Sequence, residues 1–223
     1  MINTPDRIKQ LTETFHNNLD SYKKGTYNET QVRREYIDPL FEALGWDIAN
    51  KKGYAEAYKD VIHEDAIKVG GATKAPDYCF RIGGVRKFFL EAKKPAVNIK
   101  HDIHPAYQLR RYGWSAKLPL SILTDFEEFS VYDCRVKPVK TDQASHSRIR
   151  YFKYFDYDNV INDIGGRVID TAGLAHFRLI FDFGLVLGCQ ADHFAQEFFI
   201  HLPQDIGRQN GKFIGAVGII KVF

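Results

Sequence analysis

Two carboxylates and an ammonium sit at the ends of apolar runs in APDYCFRIGGVRKFFLEAKKP, residues 75–95. Asp77 opens the first run; Glu91 and Lys93 close the second. Hard carboxylate oxygens suit Mg²⁺, which takes one or two such ligands and keeps several waters. A bound divalent ion acidifies a water and offsets charge developing on a phosphate. A neighbouring ammonium orients that water or stabilises the same charge. These residue types are therefore suited to hydrolysing a phosphodiester. The plain alternative is a solvated ion pair at a strand end, which contributes little.

Such chemistry needs elements that carry Asp77 to Glu91. Residues 77–82 and 86–92 predict two strands joined by a tight turn at Gly83-Gly84. Glu91 and Lys93 are two apart, so both point to one face, while Ala92 points to the other and packs on a helix. A hairpin pairing returns Asp77 to the side of Glu91. Around this pair, Ile8, Leu11, Phe15 and Leu19 predict a helix over 5–22, broken at Gly25. Asn28 caps a second helix, with Glu29 in its first turn and Val32, Tyr36, Leu40, Phe41 and Leu44 as its apolar face. Pro39 inside it predicts a kink or a split.

Residues 46–74 read as a loop carrying one strand, and 101–116 as helical after Pro105. Residues 118–123 and 128–132 read as strands around a turn at 124–127. The order helix, strand, strand, helix, strand, strand predicts an α/β fold, a mixed sheet flanked by helices. Beyond it, 137–150 are polar and turn-rich, and 151–157 suit either a strand or an aromatic helix. The expected division is a domain over 1–157 and an appendage or tail of unknown role over 158–223.

Composition narrows the class. The chain has 223 residues, 44% of them hydrophobic and 14% aromatic, enough for a substantial core. A net charge of +3, from 31 basic and 28 acidic residues, permits nucleic-acid binding without demonstrating it. Cys79, Cys134 and Cys189 form no CxxC pair, which argues against a disulfide framework or a zinc knuckle and for a reducing compartment. No stretch is long and apolar enough to span a bilayer, and the polar N-terminus lacks a signal-peptide core. The expectation is a cytoplasmic protein with no membrane partner.

The pattern Pro76-Asp77 followed by Glu91-Ala92-Lys93 resembles the PD-(D/E)xK nuclease superfamily. Within it, the sequence is similar to the N-terminal nuclease domain of type I restriction enzyme R subunits and of related restriction-methylation fusions. Three further segments carry the resemblance. NETQVRREYIDPLFEALGWD, residues 28–47, resembles the family's opening helix with its glutamate and arginine. Gln108 to Tyr112, QLRRY, fits the QxxxY motif of the helix after the catalytic strand. PLSILTDFEEFSVYD, residues 119–133, resembles the hairpin that follows, with Asp125-Phe126 in place of an Asn-Gly-like turn and Phe129 where Trp is usual.

The resemblance implies a restriction-endonuclease-like fold and a Mg²⁺-dependent endonuclease acting on double-stranded DNA. It implies that Asp77 and Glu91 bind Mg²⁺, with the Ala92 carbonyl as a further ligand and Glu29 touching metal-bound water. It gives Lys93 the attacking water, and it gives Gln108 and Tyr112, on one helical face, the lining of the site. Motor, methylation and specificity parts are absent from this sequence, so the resemblance implies partner subunits or domains that supply them. The alternative is a module of the same fold that only holds DNA or docks into a complex.

Arg81, Arg86, Lys87, Lys94, Lys100, Arg110 and Arg111 cluster around the acidic pair in sequence. They read as a phosphate-tracking groove, or else as solubilising charge. His101 and His104, and His63 before Glu64-Asp65, read as polar loop histidines, since no further zinc ligand is evident. Gly207 to Phe213 has only three residues between its glycines and no Ser or Thr after the lysine, so it is no phosphate loop.

Overall fold

A computed structural model describes residues 6–157 and the four residues 208, 209, 212 and 213. The chain divides into two units, Met1–Phe183 and Gly184–Phe223. In the second, Arg208–Gln209 pairs antiparallel with Lys212–Phe213, a short hairpin. The remainder of the expected appendage lies outside the described residues.

In the first unit, the elements run α1 (Asp6–Tyr22), α2 (Glu29–Val32), a π-helical turn (Arg33–Ile37), α3 (Asp38–Ala43), β1 (Val61–His63), β2 (Ile67–Val69), β3 (Ala72–Lys74), β4 (Tyr78–Ile82), β5 (Val85–Ala92), α4 (Ile103–Ser115), β6 (Leu120–Thr124), β7 (Glu128–Asp133) and β8 (Arg148–Lys153). Six strands form one sheet in the order β1-β4-β5-β6-β7-β8. Only β5 and β6 run parallel, with α4 as the crossover between them. The other neighbours are antiparallel, so the fold is a mixed α/β sheet flanked by helices, compatible with a restriction-endonuclease-like fold.

Both faces of the central strands are covered. Cys79, Phe89 and Leu123 pack with Leu109 and Tyr112 of α4. On the opposite face the cross-strand pair Phe80–Phe88 stacks at 4.4 Å, with Trp46 edge-on to Phe80 at 4.9 Å and Phe41 at 4.8 Å. Such double coverage explains why β6 is buried at every position. α1 adds Ile8, Leu11 and Phe15 to the core from one helical stripe.

Local chemistry sets several boundaries. The Asn28 side chain accepts the Gln31 N–H while the Gln31 side chain accepts the Asn28 N–H, a reciprocal cap at the start of α2. The helix expected to kink or split at Pro39 is divided into α2, the π turn and α3, with Pro39 at the start of α3, just past the π turn, where the Asp38 N–H reaches back to the Arg33 carbonyl. The wider turn accommodates a residue with no N–H to give and a ring that would crowd the preceding turn. Gly83 and Gly84 take φ of +57° and +80°, the conformation a two-residue hairpin needs, and a Cβ on Gly84 would lie 2.7 Å from the Ala57 carbonyl oxygen.

The reading of 46–74 as a loop with one strand is corrected: it carries three, of three residues each, too short for a periodic signal. Residues 151–157 are half strand and half helix, because β8 already begins at Arg148 and gives way to a 3₁₀ turn at Tyr154–Asp156. Pro105 lies inside the first turn of α4, where a missing N–H costs nothing.

Arg81 and Arg86 converge on Asp65, Arg86 through both donors at 2.7 and 2.9 Å and Arg81 at 2.8 Å. Burial works to raise the Asp65 carboxyl, but the two guanidiniums outweigh it and hold it at about 2, against 3.8 ordinarily. A depressed carboxylate contributes stability that is complete above about pH 4 and disappears as pH falls through about 2. Asp65→Asn is therefore expected to lose on the order of 1–2 kcal/mol at neutral pH, part of the interaction being screened at the more exposed Arg86. Urea unfolding at stepped pH checks it: the gap between wild type and variant closes as pH falls from about 4 to about 2.

Candidate active site

The β4–β5 register places Tyr78 opposite Leu90 and Cys79 opposite Phe89, so Asp77, one step before β4, comes level with Glu91. The Asp77 Oδ2 accepts the Ala92 backbone N–H at 2.7 Å, fixing the carboxylate at the end of β5. Its Oδ1 faces the Arg33 guanidinium at 3.2 Å. Ala92, fully buried, fills the opposite face.

Glu91 is the centre of the cluster. Its Oε1 accepts from Lys93 Nζ at 3.0 Å and from Gln108 Nε2 at 2.6 Å. Its Oε2 is buried and has no hydrogen-bond partner among the described residues. Burial first, and the Asp77 charge second, raise the Glu91 carboxyl from 4.5 to about 7 despite Lys93. Lys93 Nζ also lies 3.7 Å from Glu29 Oε1. Burial works to lower the Lys93 ammonium, but Glu91, Glu29 and Asp77 together hold it above its usual value. Tyr112 is buried one turn along α4 from Gln108, and burial and the Glu91 charge raise its phenol.

Asp77, Glu91, Lys93, Gln108 and Glu29 are thus gathered in one place. The donor set suits a hard divalent ion: two carboxylates on one sheet end, and a buried carboxylate oxygen with an unused acceptor. Among the described residues, no group of three or more His, Cys, Asp or Glu side chains is arranged to hold a metal. Backbone oxygen and water would have to complete the shell.

The basic residues divide. Arg81 and Arg86, held by Asp65, lie toward the Gly83-Gly84 turn, roughly 13 Å along β4 from Asp77 and roughly 17 Å along β5 from Glu91 respectively. Lys87 is on the same half of β5. Lys94 follows the site directly, and Arg111 lies on α4 beside Tyr112; both are half-buried. Lys100 is exposed, with its ammonium 5.2 Å from the centre of the Tyr151 ring. Arg110 lies apart from the others: it is 1% exposed and bound to Asp142 at 2.7 Å, withdrawn from the surface. His101 and His104 are exposed, His104 beside Asp102 at 3.2 Å. His63 is not in a loop but ends β1, with its Nδ1 3.4 Å from Arg33 Nη2.

Arg33, Tyr78 and Asp38 were not assigned to the site from the sequence, and His63, read there as a loop histidine, joins them. Arg33 follows Glu29 by four positions, the spacing that puts both on one helical face, and that was the available signal.

The family described as the type I restriction enzyme R protein N terminus matches residues 26–140, just over half of the chain. A type II restriction enzyme and methyltransferase from Escherichia coli is 41% identical over 176 residues, covering 76% of this chain and 18% of that protein. The chain thus spans less than a fifth of the length of this curated relative. No solved structure matches. The matched region runs from just before α2 to beyond β7 and includes every residue of the cluster at Asp77 and Glu91, and the chain belongs to the family of type I restriction enzyme R protein N-terminal domains.

Proposed function

We propose that this chain is the DNA-cleaving part of a restriction-modification enzyme, a Mg²⁺-dependent endodeoxyribonuclease without sequence specificity of its own. The observation that carries this reading is Glu91: a buried carboxylate with one oxygen unpartnered, held by Gln108 and Lys93 beside Asp77. An unsatisfied buried acceptor costs free energy, and beside a second carboxylate a hard divalent ion would offset that cost.

Asp77, Glu91 and the Ala92 carbonyl would hold the ion, which when bound supplies charge neutralisation and a more acidic water. Gln108 fixes the Glu91 rotamer, and the Ala92 N–H fixes Asp77. Lys93 is an ammonium, so its part is to orient the water and stabilise charge on the phosphate rather than to accept a proton. Glu29 steadies that ammonium from the α2 side, and Tyr112 lines the wall behind Gln108. Lys94, Lys100, Arg111 and Lys87 would contact the DNA backbone without base readout. Arg81 and Arg86, partly neutralised by the Asp65 they share, contribute less.

The relative carries restriction enzyme and methyltransferase in its name, and this chain corresponds to less than a fifth of it. Recognition, methylation and any motor would accordingly reside in other domains or subunits.

Incubation of supercoiled plasmid with the protein and Mg²⁺ tests the reading. Nicking or linearisation that stops on addition of EDTA is expected. Salt-sensitive DNA binding with no cleavage, in the presence of the rest of the enzyme, would replace this reading by that of a DNA-holding module of the same fold.

A further inference from the structure

We propose that Arg33 is the resident counter-cation of this site, a positioning residue that holds Asp77 in place before any metal arrives and sets the affinity for the ion low. The inference rests on the metal-dependent reading given above and concerns a residue that reading does not use.

Arg33 is held from several sides. Its Nη1 is 3.2 Å from Asp77 Oδ1, and its Nε donates to the Tyr78 hydroxyl at 3.3 Å. The guanidinium lies 4.9 Å from the centre of the Tyr78 ring, and Nη2 is 3.4 Å from His63 Nδ1. The Tyr78 hydroxyl in turn donates to Asp38 Oδ1 at 2.7 Å, so the ring cannot swing away without losing a second bond. Arg33 is also the first residue of the π turn, a distortion that re-aims side chains and is frequent at functional sites. The side chain is 21% exposed, so its charge is only partly screened by water.

The result is a carboxylate fixed at both oxygens, one by Arg33 and one by the Ala92 N–H. Two cations already offset part of the acidic charge without an ion: Arg33 and Lys93 face Asp77, Glu91 and Glu29, with Asp38 behind the Tyr78 hydroxyl. A divalent ion entering there meets a guanidinium already bound to one of its ligands. With an effective dielectric constant near 20, one unit charge within several ångströms is worth more than a factor of ten in an equilibrium constant. Removing that charge while keeping the fold should therefore tighten ion binding, the opposite of what loss of a merely structural residue would do.

Calorimetric binding of Mn²⁺ and Mg²⁺ to the DNA-free protein decides the matter. Arg33→Gln keeps a donor for Asp77 and removes the charge; its dissociation constant is expected to be at least about tenfold lower than wild type. Arg33→Lys keeps the charge, though not the stacked and forked contacts, and should stay within about threefold of wild type. If Arg33→Gln does not fold by circular dichroism, Arg33→Met, which retains apolar packing on the Tyr78 ring, makes the same comparison. Unchanged or weaker binding in the neutral variants overturns the role given to Arg33. Asp77→Asn is the control: if wild-type binding survives it, the ion is not at Asp77 and the metal-site reading itself fails.

Discussion

Lys93→Met is expected to cut plasmid DNA roughly 10²- to 10³-fold more slowly than wild type while keeping its fold. Lys93 holds its place through its backbone as well as its side chain, since its N–H donates to the Thr124 carbonyl at 3.0 Å and joins β5 to β6. Methionine keeps that bond and the aliphatic stem. What it removes is an ammonium 16% exposed, at 3.0 Å from Glu91 and 3.7 Å from Glu29. Because the surrounding carboxylates outweigh burial, the group is cationic at neutral pH, and under the proposed function its loss removes a charge that would face the reacting phosphate. Removing one such preorganised group in other active sites costs a factor of this size. The thermal midpoint in EDTA should move by only a few degrees, since Glu91 can take up a proton once its cation is gone. Nicking rates and melting curves on the same preparations separate the two effects. A variant that cleaves within tenfold of wild type would remove Lys93 from the catalytic group and with it the assignment of this cluster.

How far the sequence carried depends on the range of the interactions. The pairing of β4 with β5 was legible because strand periodicity and a Gly-Gly turn are local rules, but the turn alone sets Asp77 opposite Leu90, and a bulge at Phe80–Arg81, which no local rule disclosed, brings it level with Glu91. Gln108 was legible through its motif, and its bond to Glu91 follows from α4 being the crossover between β5 and β6. Arg33 was not, since its reach to Asp77 depends on how α2 and the π turn sit over the sheet edge. The turn at Asp125-Phe126 shows the same limit. Phe126 adopts φ +71°, a conformation unfavourable for a large side chain, and its ring is buried against Phe15 at 4.9 Å and Tyr36 at 4.8 Å. Burial of that ring offsets the backbone cost, helped by the Asp125 carboxylate, which accepts the Glu128 N–H at 2.7 Å. No pattern of four residues discloses a compensation that comes from a helix over a hundred positions away.

Arg110 shows how a basic residue near a site in sequence can serve the fold alone, and Arg110→Leu is expected to lose about 3–5 kcal/mol of stability. The side chain sits on α4 between Leu109 and Arg111, only two positions from Gln108, so sequence proximity placed it among the DNA contacts. Its guanidinium instead turns inward and donates from Nη1 to Asp142 Oδ2 at 2.7 Å. That oxygen also accepts the Val139 N–H at 3.0 Å, and the Val139 amide and Arg110 hold the Asp142 carboxyl below its ordinary value against burial. Truncating Arg110 leaves the Asp142 charge, 10% exposed, without its cation, and that uncompensated charge accounts for most of the loss. A loss of this size in a domain of about 150 residues lowers the melting midpoint by roughly 10 °C. Removing both charges should recover much of it, because Arg110 Nε and Nη2 are themselves buried without partners and an apolar pair has no such deficit. DNA affinity measured well below the midpoint should be unchanged, whereas loss of a phosphate contact would weaken binding and flatten its salt dependence. Melting curves for Arg110→Leu, Asp142→Leu and the double variant, with DNA binding at two salt concentrations, distinguish an internal tie between α4 and the 139–142 turn from a surface that tracks a phosphate backbone.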